Sequence, residues 1–158
     1  MKKRIIPNAE QQAGQLPDDG WLDLEQIADV DVTSEDPAQP IESALLPGRG
    51  SFWRAAEPGE QTIRLVFAGP QRIRRIALEF DEPQTERTQQ FVLRWSSDGG
   101  QSYRELVRQQ WNFSPQGATQ ELEDYRVDLA DVTTLELKII PDITGGEARA
   151  TLARWRLA

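Results

Sequence analysis

Apolar and polar positions alternate along most of the chain, and the pattern is clearest between residues 87 and 113. There Phe91, Leu93 and Trp95 recur at every second position, which is typical of a β-strand that packs on one face. A Ser-Asp-Gly-Gly segment follows at 97–100, and it indicates a tight turn because glycine tolerates positive φ angles and aspartate caps its own turn. A second strand begins directly after this turn. The stretch therefore predicts a long β-hairpin.

The same alternation predicts six more strands, and no segment shows a sustained helical period. They lie at 27–33, 62–67, 73–80, 125–129, 135–139 and 150–157. Ile73 is out of phase with Ile76, which indicates a bulge near Arg74 and Arg75. Eight strands joined by turns predict an all-β, antiparallel β-sandwich that forms a single domain. The predicted core consists of Val30, Val32, Leu65, Phe67, Leu78, Phe80, Leu93, Trp95, Val127, Leu137, Ile139 and Trp155.

The connections between these strands differ in length. Because consecutive antiparallel strands reverse direction, the connections alternate between the two ends of a sandwich. The short ones share one end and lie at 68–71, 97–101 and 130–133. The longer ones share the other end and lie at 34–60, 81–88, 112–119 and 141–149. Binding residues are found most often on loops that a rigid scaffold holds, so the end with the longer connections, the long-loop end, is the predicted site.

The composition narrows the function classes. The 158 residues include no cysteine and no histidine, which removes disulfides, thiolate metal sites and the commonest general base. The pairs Glu121/Glu123 and Asp81/Glu82 are candidate acid–base dyads, but the sequence shows no environment that would raise a carboxyl pKa. We therefore predict a protein that is not an enzyme and that carries no cofactor.

The start of the chain differs from the rest. Residues 1–20 are polar and aperiodic, which predicts a flexible N-terminal arm before a folded domain at 21–158. The first residues are basic but lack the apolar segment of a signal peptide, and no apolar run is long enough to span a membrane. Together with the absence of cysteine, this favours a cytoplasmic location and no membrane partner.

Charge is unevenly distributed along a chain whose net charge is −8. Segment 8–48 contains ten acidic residues and no basic residue, whereas segment 49–158 contains 15 basic and 16 acidic residues. Without a basic stripe, nucleic acid is not an expected partner. The acidic segment offers a surface for a basic protein partner. A protein-interaction or structural domain that uses residues 8–48 is therefore one of two function classes that remain open.

Several short stretches of sequence occur in an order that suggests the other function class, a ligand-binding module. They are Val32–Glu35, Ile41–Leu45, Phe52–Ala55, Gln61–Leu65, Ile73–Leu78, Phe91–Leu93 followed by Ser97–Gly100, and Ala150–Leu157. This order resembles the galactose-binding-like jelly roll, the discoidin or coagulation-factor C-type domain, which also includes many carbohydrate-binding modules. The resemblance covers about residues 21–158. It implies a jelly-roll β-sandwich that acts as a non-catalytic binding module, although one fold hosts many functions.

The chain departs from that family at its calcium site. Many members bind a structural calcium through an acidic residue of the first long loop and a glutamate of the last strand. The resemblance places Pro47 and Arg154 at these positions. Arginine cannot ligate a cation, but it could form an ion pair with Glu35 or Asp36 instead. We therefore expect no metal site.

Aromatic and hydrogen-bonding side chains near the long-loop end are the candidate ligand contacts. A sugar or related flat ligand needs an apolar face for stacking together with hydrogen-bond donors. Trp53 and Trp111 supply aromatic rings, although either ring could instead close the core. The candidate donors are Arg54, Arg87, Gln89, Arg108, Gln110 and Asn112, whose alternative role is to solvate exposed strand faces. The predicted ligand is a carbohydrate or another polar small molecule.

Overall fold

The computed structural model describes residues 20–158. The predicted flexible arm lies outside the described residues except for Gly20, and so does the first part of the acidic segment 8–48. Strands form where branched and aromatic side chains alternate with polar ones. In chain order the elements are α1 (Leu24–Ile27), β1 (Ala28–Val32), α2 (Glu42–Leu45), β2 (Trp53–Pro58), β3 (Gln61–Asp81), β4 (Arg87–Ser96), β5 (Arg104–Phe113), β6 (Gln120–Ile140), β7 (Arg149–Leu152) and β8 (Arg154–Leu157).

Strands β3 and β6 organise the fold because each is 21 residues long and bends near its middle. The first half of β3 pairs with β1 and with the second half of β6, whereas its second half pairs with β8 and with the first half of β6. Strand β4 pairs with the second half of β6, and β5 pairs with β4. The sheet order is β1-β3-β6-β4-β5. The two long strands thereby carry the sheet from one layer of the sandwich to the other.

The predicted all-β, antiparallel jelly-roll sandwich is confirmed, but two of the predicted connections are wrong. Segments 68–71 and 130–133 are bends within β3 and β6 rather than turns between strands. Register shifts between Val66 and Ile73 allow β3 to bend, and Asp131 adopts a positive φ of 57° in β6. A further register shift between Ile73 and Arg75 confirms the bulge expected there.

Two other segments also differ from the prediction. Segment 34–60, expected to be irregular, contains α2 and β2. Segment 150–157, expected to be one strand, is divided into β7 and β8, which pair with β2 and β3 respectively. The total of eight strands within residues 20–158 therefore agrees with the prediction although the individual strands do not.

The core lies between the two layers. Of the predicted core residues, Leu65, Phe67, Leu78, Phe80, Leu93, Leu137, Ile139 and Trp155 are buried. Val30, Val32, Trp95 and Val127 are only partly buried but pack against the core. Val30 and Val32 lie on edge strand β1, and Val127 lies in the half of β6 that has a neighbour on one side only. Trp95 lies at the end of β4, where the Arg104 guanidinium covers its ring at 5.6 Å.

The end of the sandwich opposite the long loops is closed by hydrogen bonds. Thr133 Oγ1 accepts a hydrogen bond from Gly99 N at 2.9 Å and donates one to Ser96 O at 3.0 Å. Gly99 and Gly100 have φ angles of 75° and 88°, as the predicted tight turn requires. The turn at 97–101 and the bend of β6 at 130–133 therefore meet at one end of the sandwich.

The first and last described segments lie side by side. Leu22 N donates a hydrogen bond to Leu157 O at 2.7 Å, and Ala158 O accepts hydrogen bonds from Arg74 N and Arg75 N. This arrangement fixes β8 against the second half of β3. Within residues 20–158, no helix has the length and apolar character needed to cross a membrane.

Candidate functional site

Three of the four longer connections meet around one cleft at the long-loop end. This loop cleft has a volume of about 840 Å³ and is lined by residues from 52–54, 81–85 and 142–149, together with Thr151 and Ala153. Backbone hydrogen bonds hold the connections together: Gly59 N donates to Ala148 O, and Glu82 N donates to Thr119 O. The prediction that these connections share one end is confirmed.

The register of β2 with β7 decides which side chains enter the loop cleft. Trp53 pairs with Leu152, and Arg54 pairs with Thr151. Because side chains alternate across a strand, Trp53 and Leu152 point into the core while Arg54 and Thr151 line the cleft. The half-buried ring of Phe52 also lines the cleft. Arg54 is thus placed as predicted.

Trp53 does not have the surface position expected of a stacking ring. Its side chain is fully buried, and its Nε1 donates a hydrogen bond to Ser34 O at 3.1 Å. The expected irregular loop is in fact a strand, and strand alternation directs Trp53 inward. The indole therefore closes the core, and Phe52 is the aromatic side chain that the cleft presents.

The loop between β6 and β7 is held in place by its own hydrogen bonds. Asp142 Oδ1 accepts from Thr144 N at 3.1 Å and from Thr144 Oγ1 at 2.8 Å. These bonds lower the pKa of Asp142 below its ordinary value. The next two residues, Gly145 and Gly146, have φ angles of 88° and 96°, which disfavour other residue types. This wall of the cleft is therefore shaped by the chain itself.

The cleft carries both donors and acceptors. Arg54 and Arg149 supply guanidinium groups, and Asp81, Glu82, Asp142 and Glu147 supply carboxylates. Desolvation raises the pKa of Asp81, against the opposing effect of a hydrogen bond from Gln120. With four carboxylates against two guanidinium groups, the lining carries a net negative formal charge. Such a surface can hydrogen-bond to a ligand that has many hydroxyl groups.

Arg87 was predicted to contact a ligand but lies behind the cleft. Only 3% of the residue is exposed, because it shares the inward parity of Phe91 in β4. Its Nε donates to Glu82 Oε1 at 2.8 Å, and its Nη1 donates to Pro141 O at 2.7 Å. Its guanidinium also covers the Phe113 ring at 4.7 Å. Arg87 therefore joins two cleft walls from the inside instead of facing solvent.

Gln89 is likewise buried and not available to a ligand. It accepts a hydrogen bond from Arg87 Nη1 at 3.1 Å and donates one to Glu121 Oε1 at 3.2 Å. Glu121 is fully buried, and desolvation together with neighbouring Glu123 raises its pKa to about 8. The sequence alone does not show this environment, because Gln89, Glu121 and Glu123 are brought together only by the fold. Glu121 is not among the residues that line the cleft.

The four remaining candidates lie on β5, away from the loop cleft. Arg108, Gln110 and Asn112 are exposed and form hydrogen bonds with Glu105, Gln90 and Thr88 respectively. Trp111 has the opposite parity, is half-buried and packs against the core. The eight predicted residues therefore do not form one site, because only Arg54 lines the cleft.

The position at which related domains were expected to hold calcium is occupied differently. Arg154 Nε lies 3.9 Å from Glu79 Oε2. Glu35 instead accepts a hydrogen bond from Ile41 N at 2.9 Å, and Asp36 accepts one from Ala38 N at 3.0 Å. Within the described part of the chain, no cluster of three or more acidic side chains is arranged to hold a metal ion.

Comparisons with known proteins identify the fold. Neither the protein-family models nor the curated proteins give a match to the sequence. Among solved structures, the chain is similar to the module CpGH89CBM32-5 of Clostridium perfringens, whose structure is in complex with GalNAc-β-1,3-galactose. The TM-score is 0.60 and the sequence identity is 18%, and the alignment covers 82% of this chain and 94% of that module. The family 32 carbohydrate-binding module of NanJ from the same organism, in complex with galactose, has a TM-score of 0.60 and 13% identity, over 82% and 92%. Chitosan-binding module 1 of a chitosanase/glucanase from Paenibacillus sp. IK-5 has a TM-score of 0.57 and 13% identity, over 85% and 97%.

These similarities define the class of fold. The chain is an all-β domain with the galactose-binding-like β-sandwich found in family 32 carbohydrate-binding modules, as the sequence resemblance predicted. At 18% identity or less, they show the fold and not the ligand.

Proposed function

We propose that this protein is a non-catalytic carbohydrate-binding module that holds a saccharide in the loop cleft. The observation that carries the proposal is the composition of the cleft, which brings an aromatic ring, two guanidinium groups and four carboxylates together at one end of the sandwich. The similarity of the fold to carbohydrate-binding modules supports the same ligand class.

The chemistry of the cleft suits a sugar ring. The apolar face of a pyranose stacks on an aromatic side chain, and its hydroxyl groups both donate and accept hydrogen bonds. Phe52 provides the ring, Arg54 and Arg149 provide donors, and Asp142 and Glu82 provide acceptors. Because the lining has more carboxylates than guanidinium groups, we expect neutral or amino sugars to bind in the cleft in preference to acidic sugars.

Two features of the carboxylates support binding without catalysis. Asp142 accepts hydrogen bonds within its own turn, and its pKa is lowered, which makes it a poor general acid. The strongly raised pKa belongs to Glu121, whose side chain is fully buried outside the cleft lining. A catalytic acid must reach the bond that it protonates.

The test is a glycan array followed by calorimetric titration of the sugar with the strongest signal. Phe52→Ala and Arg54→Ala are each expected to weaken binding by about 1–2 kcal/mol, through loss of a stacked ring and of a charge-assisted hydrogen bond. Arg126→Ala is the matched control, because Arg126 is exposed on β6 outside the cleft lining. It should leave the affinity unchanged.

Three results would contradict the proposal. One is a glycan affinity that neither cleft variant changes. Another is turnover of a glycoside by the unmodified chain, which would show catalysis. A third is binding that disappears only when residues 8–20 are deleted, which would instead favour interaction through the acidic segment.

A further inference from the structure

A second concave surface lies on the outer face of the sheet rather than among the loops. This sheet hollow has a volume of about 200 Å³ and is lined by Glu60, Gln90, Val92, Arg94, Arg108, Lys138 and Ile140. Except for Glu60, these residues come from three neighbouring strands, β4, β5 and β6. The hollow is thus built on regular, paired backbone.

The strand register places three cationic side chains around a small apolar floor. Val92 of β4 lies directly opposite Arg108 of β5 on one side and Lys138 of β6 on the other. Neighbouring strands are about 4.8 Å apart, so the Arg108 and Lys138 backbones lie roughly 10 Å from each other across Val92. Arg94 follows Val92 by two residues and shares its face. Three long side chains therefore surround the short side chain of Val92.

The charges in the hollow are only partly neutralised by the protein. Arg94 Nη2 lies 2.5 Å from Glu136 Oε1, and Arg108 Nη2 lies 2.7 Å from Glu105 Oε1. Lys138 is half-buried and forms no ion pair with any of residues 20–158. A partly desolvated ammonium group without a carboxylate partner favours an anion from solution.

The balance of charge also distinguishes the hollow from the loop cleft. Three cations and one carboxylate, Glu60, line the hollow, whereas carboxylates outnumber cations in the cleft. Because Glu136 and Glu105 pair with Arg94 and Arg108, Lys138 is the lining cation that has no carboxylate partner among residues 20–158. The two surfaces are close in sequence, because Ile140 lines the hollow and Asp142 lines the cleft.

We propose that the sheet hollow is a second binding site, which takes the carboxylate or sulfate group of an acidic saccharide. Lys138 and Arg108 would contact the oxyanion from opposite sides, with Val92 and Ile140 beneath the sugar ring. Arg108, predicted as a ligand donor from the sequence, would then serve this site, whereas Gln110 is not among the residues that line it. Only the saccharide part of the inference rests on the proposed function; recognition of the oxyanion does not.

The test is an NMR titration of the full chain with sodium sulfate and, separately, with trigalacturonate. Each is compared with sodium chloride at equal ionic strength, which keeps general screening constant. Both probes are expected to shift the backbone amides of Val92, Arg108 and Lys138. Lys138→Gln and Arg108→Gln should each lower the affinity for both probes by about five-fold or more. Arg126→Gln removes the same charge from an exposed position in the other layer and should have no effect.

The outcomes separate this inference from the proposed function. If neither probe shifts these amides, or if Arg126→Gln weakens binding as much as Lys138→Gln, the inference is wrong. Binding of a neutral glycan that depends on Arg54 would still support the loop cleft in that case. If the oxyanions bind at Lys138 and no neutral glycan binds, the inference holds and the proposed cleft function is overturned.

Discussion

Two fully buried glutamates on the same strand differ in their surroundings. Glu136, in the second half of β6, lies between Arg64 and Arg94, whose Nη2 atoms are 2.9 Å and 2.5 Å from its carboxylate oxygens. Glu121, in the first half, receives a hydrogen bond from Gln89 and has Glu123 as its neighbour. One carboxylate is matched by two cations, whereas the other meets an amide and a second acid.

The difference shows that burial alone does not set the charge of a group. Desolvation raises the pKa of Glu136, but hydrogen bonds from Arg64 and Arg94 exceed this effect and the net shift is downward. Desolvation also raises the pKa of Glu121, and Glu123 raises it further because one proton is favoured between two carboxyl groups. At neutral pH the first glutamate is therefore ionised and the second is mainly protonated.

The largest effect is expected from removing the charge of Glu136. Glu136→Gln leaves two guanidinium groups facing a neutral amide, and we expect a loss of about 2–3 kcal/mol in the free energy of unfolding, measured with urea. The value is at the low end for a buried pair because Arg64 and Arg94 are 39% and 31% exposed and can turn toward water. Asp128→Asn, which breaks the exposed pair with Arg72, should cost less than about 0.5 kcal/mol. Equal losses of stability in the two variants would show that the buried ion pairs of Glu136 contribute no more than the exposed pair of Asp128 with Arg72.

The next effect is the pH dependence that Glu121 imposes. Its folded pKa of about 8 exceeds the ordinary value of 4.5, so the folded state holds an extra proton between these values. The resulting stability is complete below the unfolded pKa and is lost as the pH rises through the folded pKa. We expect the free energy of unfolding to fall steadily as the pH rises from about 5 to about 9.

Glu121→Gln should remove most of this dependence, because a glutamine does not titrate and can still bond to Gln89. Glu123→Gln should reduce it partly by removing the neighbouring acid. Glu105→Gln, at an exposed position, should leave the slope unchanged. A wild-type stability that is level or rises over this interval would contradict the assignment of the proton to Glu121.

The smallest expected effect concerns Asp98, an exposed carboxylate that can be compared with the buried Glu136 and Glu121. Hydrogen bonds from Ser102 and then from Ser96 lower the pKa of Asp98 to about 2. Ser102→Ala should move this pKa upward toward 3.8, its ordinary value, with little change in folding stability, as measured by NMR titration of the side-chain carboxyl. An Asp98 that already titrates at its ordinary value in the unmodified chain would show that neutral donors do not act as the guanidinium groups do.

The fold was largely predictable because alternation reports directly on which face of a strand is buried. Bends were harder to predict, since Gly69-Pro70 reads as a turn although β3 continues through it. Whether such a segment reverses or only bends depends on pairing with a distant strand, here β6. Local sequence does not contain that information.

The loop cleft lies at the end of the sandwich where a site was predicted, but Arg54 is the one predicted residue that lines it. Arg87 and Gln89 share the parity of Phe91 and Leu93, which is a signal that they point inward. Charge and amide chemistry were taken as evidence of exposure, whereas Glu82, Pro141 O and Glu121 form hydrogen bonds with these groups inside the fold. Phe52 and Arg149 were missed because the short β2–β7 pairing that brings them to the cleft joins segments about 100 residues apart.

The hydrogen bond between Leu22 and Leu157 has a consequence for how the domain can be joined to other chains. Backbone bonds from Arg74 and Arg75 to Ala158 place this junction beside the bulge of β3, whereas Ala153, at the other end of β8, lines the cleft. The two points at which another chain could be attached, before Gly20 and after Ala158, therefore lie on the side of the molecule away from the loop cleft. Because the two attachment points are neighbours, the domain could also be inserted into a surface loop of another protein without separating that loop's ends.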